Sequence, residues 1–309
     1  MSGILIILAP YWVCCRLTVG LFKLRVHKRV FVSDKVVFLE LHKTGGTHIG
    51  TWLDKLVGGE QVGKHNRLPS ALRDRFILGS VRNPWDWYVS LWSYGCKGEG
   101  SVHLQSVRPF SLLYCWSQLG AEMGKKRPAL TDIYQQYRGE RYKPVEQWQS
   151  LYADVNNADN FRTWLKLLLS GERVFDIGEG YGFSPISKQF GLMTYRYVKL
   201  FTDANIELYK EPSLASVAGV SEFIRKRGVV DHVIRNENLE QDLLQGLAMA
   251  GLSITDAQEA DLLNAADKKI NASSHRDTAY YYDQQAADLV ACVEAYIVNK
   301  YQYRSPLHD

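Results

Sequence analysis

One stretch constrains the fold more than any other: an apolar run that ends in a glycine-containing turn and continues as a helix. Residues 36–41 read Val-Val-Phe-Leu-Glu-Leu and are rich in β-forming side chains, so they predict a buried strand. A polar turn follows over 42–47, and apolar residues then recur at helical spacing: Ile49, Trp52, Leu53 and Leu56. A strand, a turn and a helix N-terminus in this order offer free backbone N–H groups and the positive end of a helix dipole to an anion.

The turn carries groups that suit an anion site, but in an unusual order. Gly45 and Gly46 let the backbone approach a ligand closely, and the hydroxyls of Thr44 and Thr47 can donate hydrogen bonds to it. A Walker A loop places its lysine after the glycines, whereas Lys43 precedes them and would suit a leaving-group oxygen. The alternative interpretation is a chance Gly-Gly turn that is capped by threonine.

A second apolar strand is predicted over 76–81, and it ends at Arg82. Pro84 then opens a helix, because proline is tolerated in the first helical turn, and Ser90 lies further along that helix. A guanidinium binds a terminal phosphate better than an ammonium does, so Arg82 and Ser90 predict a second phosphate contact. The alternative is a surface arginine and a solvated serine.

Together the two segments resemble the sulfotransferase family that uses 3′-phosphoadenosine 5′-phosphosulfate (PAPS), and most closely its carbohydrate and bacterial branch. The first is similar to the family's loop for the 5′-phosphosulfate, and the second to its 3′-phosphate site, R-x-P-x-x-x-x-x-S. Weaker similarity extends from about residue 31 to 303. Two positions depart from the pattern: Trp87 stands where many members carry arginine, and His42 stands where proline is frequent.

The resemblance implies roles for the residues of both motifs. The 5′-phosphosulfate would be held by the loop residues Lys43, Thr44, Gly45, Gly46, Thr47 and His48. Arg82 and Ser90 would hold the 3′-phosphate. Lys43 would also be catalytic, because it would stabilise or protonate the bridging oxygen of the leaving nucleotide.

Two further segments take their implied roles from the same resemblance. His65 lies in a Gly-x-His segment between the motifs, similar to one in heparan sulfate 2-O- and 6-O-sulfotransferases whose histidine is the general base. The alternative for His65 is a solvated loop residue. Asn271, Ser273 and Arg276 belong to a stretch similar to the family's N-x-S…Y-Y segment, which folds over the nucleotide. The alternative there is a surface loop with an Asx cap.

The alternation of predicted strands and helices indicates an α/β fold, which the resemblance refines to a P-loop-like three-layer domain with a central parallel sheet flanked by helices. We expect residues 31–309 to form this sulfotransferase domain, with ligands beyond the carboxyl ends of the strands. We expect an irregular aromatic and basic insertion at about 95–150, suited to a saccharide or another anionic acceptor. The alternative is a solvated helical insertion whose aromatic residues cover the core.

The remaining helices and the cysteines are predicted from local signals. Amphipathic or buried helices are expected over 160–170, 192–201 and 285–301, and Asn238 is expected to cap another. The five cysteines show neither a disulfide framework nor a zinc pattern, so we expect reduced, mostly buried thiols. The net charge of +4 fits anionic ligands, and no nucleic-acid-binding motif is present.

The N-terminal extension, residues 1–30, is apolar and then basic. Residues 3–22 approach the length of a membrane span only if Pro10 and Arg16 are tolerated, and basic residues follow them. Membrane contact through residues 3–22 would leave the domain in the cytoplasm or at the cytoplasmic face of a membrane. The alternatives are a segment packed on the domain and a translated upstream segment without function.

The sequence therefore predicts an enzyme that transfers a sulfuryl group from PAPS to an acceptor hydroxyl. The expected acceptor is a saccharide, with a lipid-linked acceptor as the alternative, and no metal is expected because no acidic strand end suits magnesium. Two other functions remain open: a nucleotide kinase or NTPase-like protein, and a catalytically inactive, membrane-associated binding protein of the same fold.

Overall fold

The computed structural model describes residues 30–62, 68–122, 130–264 and 275–307 of the chain. Within these ranges five strands form one sheet: β1 (Val30–Val32), β2 (Val36–Leu39), β3 (Glu60–Gln61), β4 (Phe76–Val81) and β5 (His232–Arg235). Their order across the sheet is β3-β1-β2-β4-β5. The two strands that carry the sequence motifs, β2 and β4, are therefore neighbours at the centre.

The sheet is mixed, so the prediction of a parallel sheet holds for only three of its five described strands. β2, β4 and β5 are parallel, whereas β1 is antiparallel to both β2 and β3. The reason lies in the connection from β1 to β2, which is too short for the crossover that parallel strands need. Ser33 closes this hairpin, since its backbone N–H donates to the carbonyl oxygen of Val36 at 2.9 Å.

Helices account for most of the remaining described chain. The first half contains α1 (Gly46–Val57), α2 (Pro84–Cys96), α3 (Ser101–Ser106), α4 (Leu112–Glu122), α5 (Leu130–Arg141), α6 (Val145–Leu151) and α7 (Ala158–Leu168). The second half contains α8 (Leu192–Phe201), α9 (Glu207–Lys210), α10 (Val217–Arg227), α11 (Leu239–Met249), α12 (Asp256–Asn264), α13 (Thr278–Tyr281), α14 (Gln284–Val293) and α15 (Ala295–Tyr301). In the described ranges no helix combines the length and apolarity needed to cross a bilayer.

Both faces of the sheet are covered by helices, which is compatible with a three-layer α/β arrangement. Along β2, alternate side chains point to opposite faces, so Val37 and Leu39 belong to one apolar cluster and Val36 and Phe38 to another. The first cluster includes residues of α2, α7 and α8, and the second includes residues of α1, α11 and α12. Burial on both faces explains why the central strands read as continuous apolar runs.

Three expectations about the helices were wrong. Residues 95–150 are not irregular, because α3 to α6 occupy most of them. The last helix divides at Glu294, whose fully buried carboxylate turns inward to accept hydrogen bonds from the backbone N–H groups of Met193 and Thr194. Asn238 precedes α11 without capping it, since its side-chain amide donates to Asp242 at 2.7 Å instead.

The predicted cysteine burial was wrong in part. Cys115 is buried, Cys96 is half-buried and Cys292 is exposed, all three as free thiols. The other two cysteines and the whole extension 1–29 lie outside the described residues.

Candidate functional site

The turn between β2 and α1 has a backbone conformation that opens the helix N-terminus. Lys43 adopts φ 64° and Gly45 adopts φ 82°, both in the left-handed region, and α1 begins at Gly46. The N-cap residue is Gly45, which has no side chain to cap this end of the helix. Because the first N–H groups of a helix have no partner within it, those of α1 point into the turn and can bind an anion.

The hydroxyl of Thr44 does not face this opening. It is fully buried and hydrogen-bonded to the carbonyl oxygen of Leu41 and to the hydroxyl of Ser80, both at 2.6 Å. Ser80 belongs to β4, so this pair ties the turn to the neighbouring strand. Thr44 can therefore serve a ligand only through its backbone.

Gly45 and Gly46 lie against side chains that leave no room for a Cβ atom. A Cβ atom at Gly45 would stand 2.7 Å from Oδ1 of Asn236, in the turn after β5. One at Gly46 would stand 2.0 Å from the carboxyl carbon of Glu40. The glycines thus admit two neighbouring polar side chains to the turn, in addition to the conformational freedom of Gly45.

The side chains of Thr47 and His48 diverge. Thr47 is exposed in the first turn of α1. The His48 ring faces α11, with its Nε2 3.3 Å from a carboxylate oxygen of Glu240, and it lies edge-on to Trp52. His48 therefore offers the turn its backbone N–H and not its ring.

Lys43 reaches α2, the helix that follows the second motif. Its Nζ lies 3.8 Å from the ring centroid of Tyr94. Tyr94 follows Ser90 by four residues, and Ser90 follows Asp86 by four, so the three side chains lie along one face of α2. The ammonium of Lys43 is thus held at the helix face that also carries Ser90.

Arg82 leaves β4 at the same edge of the sheet. Its Nε is buried and has no hydrogen-bond partner among the described residues. The next residue, Asn83, caps α2 by accepting a hydrogen bond from the N–H of Trp85 at 3.1 Å, and its own N–H donates to Glu237 at 2.6 Å. The chain around Arg82 is therefore fixed, while one buried N–H of its guanidinium lacks a partner.

Ser90 lies on α2, on the same helix face as Asp86 and Tyr94. It is 7% exposed, and its hydroxyl makes no hydrogen bond to the parts of the chain that the structure describes. A serine on a helix commonly donates to the carbonyl oxygen four residues earlier. The hydroxyl of Ser90 is instead available to a ligand beside α2.

Arg276 lies in a C-terminal segment that docks on α2. The hydroxyl of Thr278 donates to the carboxylate of Asp86, and that of Tyr282 donates to the carbonyl oxygen of Trp85 at 3.0 Å. Arg276 itself is exposed, with its guanidinium 4.7 Å from the ring centroid of Tyr280. The segment thus approaches the α2 face that carries Ser90.

Strand topology places the two motifs at one edge. Leu39 of β2 pairs in register with Gly79 of β4, so Lys43 and Arg82 both follow the carboxyl ends of adjacent parallel strands. Three other predicted residues, His65, Asn271 and Ser273, lie outside the described residues. β3 runs in the direction of β2, so its carboxyl end points to this same edge. A cavity of about 350 Å³ between α1, β1 and β3, lined by Phe31, Asp54 and Gln61 among others, includes none of the predicted site residues.

Sequence reasoning missed an ion pair behind the turn, between the buried Arg196 and the partly buried Glu179. Arg196 is 1% exposed, its guanidinium lies 5.6 Å from the Trp87 ring, and two of its nitrogens donate to Glu179 at 2.6 and 3.0 Å. Burial alone would raise the pKa of Glu179, but Arg196 outweighs it and holds the pKa well below its usual range. No local sequence pattern predicts this ion pair, because Arg196 and Glu179 lie in separate segments of the chain.

The chemistry of this edge of the sheet has to be inferred from its own residues. Comparisons of the chain with protein-family models, with curated proteins and with solved structures find no match. Within the four described ranges, no group of three or more histidine, cysteine, aspartate or glutamate side chains could hold a metal ion. Among the described groups that could hold a ligand are the N–H groups of α1, the hydroxyls of Thr47 and Ser90, and the cations Lys43, Arg82 and Arg276; together they suit an anion with separated charges.

Proposed function

We propose that the protein is a PAPS-dependent sulfotransferase with a P-loop-like fold. One observation carries the proposal: the N-terminus of α1, which follows Lys43 and has glycine at its N-cap, and Arg82, whose buried Nε has no partner in the described chain, both follow the ends of adjacent parallel strands. These are two anion-binding groups at neighbouring strand ends. PAPS carries charge at both its 5′ and 3′ positions, so it suits a pair of such groups better than ATP does.

The 5′-phosphosulfate binds at the turn. The backbone from Gly45 to His48 donates to its oxygens, and the dipole of α1 adds to the attraction. Thr44 takes part through its backbone, since its hydroxyl is bonded to Ser80, and the exposed Thr47 can donate through its hydroxyl. Lys43 lies beside the bridging oxygen and stabilises the charge that develops there as the nucleotide leaves.

The 3′-phosphate binds at the second motif. Arg82 donates to it through its guanidinium, and the free hydroxyl of Ser90 adds a second hydrogen bond. Arg276 approaches from the C-terminal segment that is docked on α2. Asn271 and Ser273, earlier in that stretch, complete the proposed contacts on this side.

The reaction is an in-line displacement at sulfur. The acceptor oxygen forms a new S–O bond while the bond from sulfur to the bridging phosphate oxygen breaks. We propose that His65 removes the proton of the acceptor hydroxyl and that Lys43 stabilises the charge on the leaving oxygen. Positioning and charge stabilisation supply most of the rate, and the reaction needs no metal. The proposed acceptor is a saccharide, and the proposed location is the cytoplasm or the cytoplasmic face of a membrane.

The test is sulfuryl transfer from labelled PAPS into a panel of glycans and lipids, read by mass spectrometry. We expect the protein to form a labelled product and expect His65→Ala to abolish transfer while adenosine 3′,5′-bisphosphate still binds. Lys43→Ala should reduce both transfer and binding. Lys55→Ala, which removes an exposed lysine from the far end of α1, is the matched control and should change neither. Absence of transfer together with absence of bisphosphate binding would overturn the proposal.

A further inference from the structure

The helical hairpin of α4 and α5 exposes an unusual amount of apolar surface. The five most exposed large apolar side chains in the described part of the chain lie on these two helices or directly after α5: Leu113, Trp116, Leu130, Tyr134 and Tyr142, each between 63% and 84% exposed. We call these five residues the hairpin face. Single exposed apolar residues are normal on a protein surface, but a concentration of this kind marks an interaction site.

Two polar side chains of α5 point inward, so the opposite face of the helix is directed outward. On α5, Gln136 and Glu140 are both 2% exposed. Glu140 accepts hydrogen bonds from Arg108 at 2.8 Å, from the N–H of Ser111 at 3.1 Å and from Lys143 at 3.3 Å. This reverses the usual pattern of a surface helix, in which apolar residues face the domain. The buried contacts of Glu140 with Arg108 and Lys143 therefore orient the hairpin face towards the solvent.

The fully exposed charges of α5 have one sign. Arg138 and Arg141 are exposed on α5, and the Arg141 guanidinium lies 5.8 Å from the ring centroid of Tyr142. The acidic residues of α5 do not balance them, because Asp132 is half-buried and Glu140 is buried. The surface is thus apolar and aromatic with a basic margin, which complements a partner that is apolar beneath an anionic layer.

We propose that the hairpin face docks on the surface of an anionic lipid bilayer. Tryptophan and tyrosine with neighbouring arginines are the residues that favour the water–lipid interface. The sequence supplies an independent second element, since residues 3–22 are mostly apolar and Lys23, Arg25, Lys28 and Arg29 follow them directly before β1. Stable attachment of a peripheral protein commonly needs two such elements together. The inference does not depend on the proposed sulfotransferase activity.

The first experiment is hydroxyl-radical footprinting of the full chain with and without vesicles that contain phosphatidylserine. Oxidation of Trp116, Tyr134 and Tyr142 should fall on vesicle addition, whereas Met249 and Tyr280, which are exposed elsewhere, should keep their rates. Hairpin residues that are already shielded without vesicles would assign the face to a second copy or to another part of this chain. Binding without shielding would assign the membrane contact to another surface. Either result overturns the proposal.

The second experiment measures vesicle partitioning of matched variants by sedimentation. Leu113→Ser combined with Leu130→Ser should weaken partitioning about tenfold, because two exposed apolar side chains no longer enter the interface. Met249→Ser combined with Val217→Ser removes exposed apolar residues away from the hairpin and should leave partitioning unchanged. Equal partitioning of the two double variants, or failure of the parent protein to bind vesicles with phosphatidylserine over vesicles of phosphatidylcholine alone, would contradict the proposal.

Discussion

The indole nitrogen of Trp87 donates a hydrogen bond of 2.6 Å to the carbonyl oxygen of His42. Trp87 is fully buried on α2, and His42 immediately precedes Lys43, so this bond joins the helix of the second motif to the turn of the first. These are also the two positions at which the sequence departs from the pattern of the resembled family. Because the acceptor is the backbone of His42, the bond does not depend on the side chain at that position, and Trp87 supplies a fixed anchor for the turn.

We predict that Trp87→Phe weakens nucleotide binding as well as stability. The substitution replaces the indole by a smaller aromatic ring and leaves the His42 carbonyl without its donor; the loss of the donor alone should cost about 1–3 kcal/mol of unfolding free energy. Trp92→Phe is the matched control, because the indole of Trp92 is also fully buried and donates to a carbonyl, that of Val155, away from the turn. Denaturant unfolding and calorimetric titration with adenosine 3′,5′-bisphosphate should show that both variants lose stability and that only Trp87→Phe loses affinity. Equal affinities would mean that the bond supports the fold alone.

Gly45→Ala should disturb the turn more than its backbone conformation alone explains. A Cβ atom there meets both a left-handed φ of 82° and the Asn236 side chain at 2.7 Å. Gly98→Ala is a close control, since Gly98 has φ 76° and no atom within 4 Å of the added Cβ. Strain of this kind costs about 1–3 kcal/mol, so both variants should lose stability and Gly45→Ala should lose more. If the two variants lose the same unfolding free energy in denaturant titrations, the Asn236 side chain moves aside without a free-energy cost.

Breaking the ion pair behind the turn should be strongly destabilising. Glu179→Gln leaves the buried Arg196 without its charged partner, which should lower the unfolding free energy by about 3 kcal/mol. The exposed pair of Glu222 and Arg225 provides the control, because Glu222→Gln removes an ion pair that water already screens and should leave stability unchanged. Denaturant titration of both variants at neutral pH distinguishes the two cases. Similar stabilities would show that Arg196 finds another partner.

Asp176 should make the protein less stable as the pH rises. Burial raises the pKa of Asp176 from 3.8 to about 6, so the folded state holds a proton there that the unfolded state has already lost between these values. The unfolding free energy contributed by this group is therefore present below about pH 4 and falls as the pH rises towards 6.

Asp176→Asn removes this titration and keeps an acceptor for the Trp148 indole, which donates to the carboxylate at 3.0 Å. The stability of the variant relative to the parent should rise by about 1–3 kcal/mol between pH 4 and pH 7. Asp261→Asn, at an exposed position on α12, controls for the loss of one negative charge. A stability difference that does not change with pH would contradict the assignment.

The sequence was sufficient to predict those strands and helices whose signal is local. The run 76–81 has the bounds of β4, and the periodic residues of α7 and α8 predicted those helices to within two residues, because burial of one or all faces leaves its pattern in the chain. The antiparallel edge of the sheet was missed because strand direction follows from the β1–β2 connection, which composition does not reveal. The helical insertion was predicted only as the alternative to an irregular one, because α5 directs Gln136 and Glu140 inward and its pattern is therefore inverted.

The candidate site was predictable in part for the same reason. The strand–turn–helix order located Lys43, Gly45 and Arg82, because strand, turn and capping signals are contiguous. The orientation of the Thr44 hydroxyl depends on Ser80, on another strand, and that of the His48 ring depends on Glu240, on another helix. Tertiary neighbours of this kind have no counterpart in local sequence, so those side-chain roles required the structure.

The most direct test of the two-anion site is a ligand and residue cycle measured by calorimetry without magnesium. Adenosine 3′,5′-bisphosphate and adenosine 5′-monophosphate differ only in the 3′-phosphate, so their affinity ratio reports what that phosphate contributes. We predict that the parent protein binds the bisphosphate at least about tenfold more tightly, the value of one charge-assisted hydrogen bond, and that Arg82→Gln loses most of this ratio. The same ratio in parent and variant, or no preference for the bisphosphate in the parent, would contradict the account.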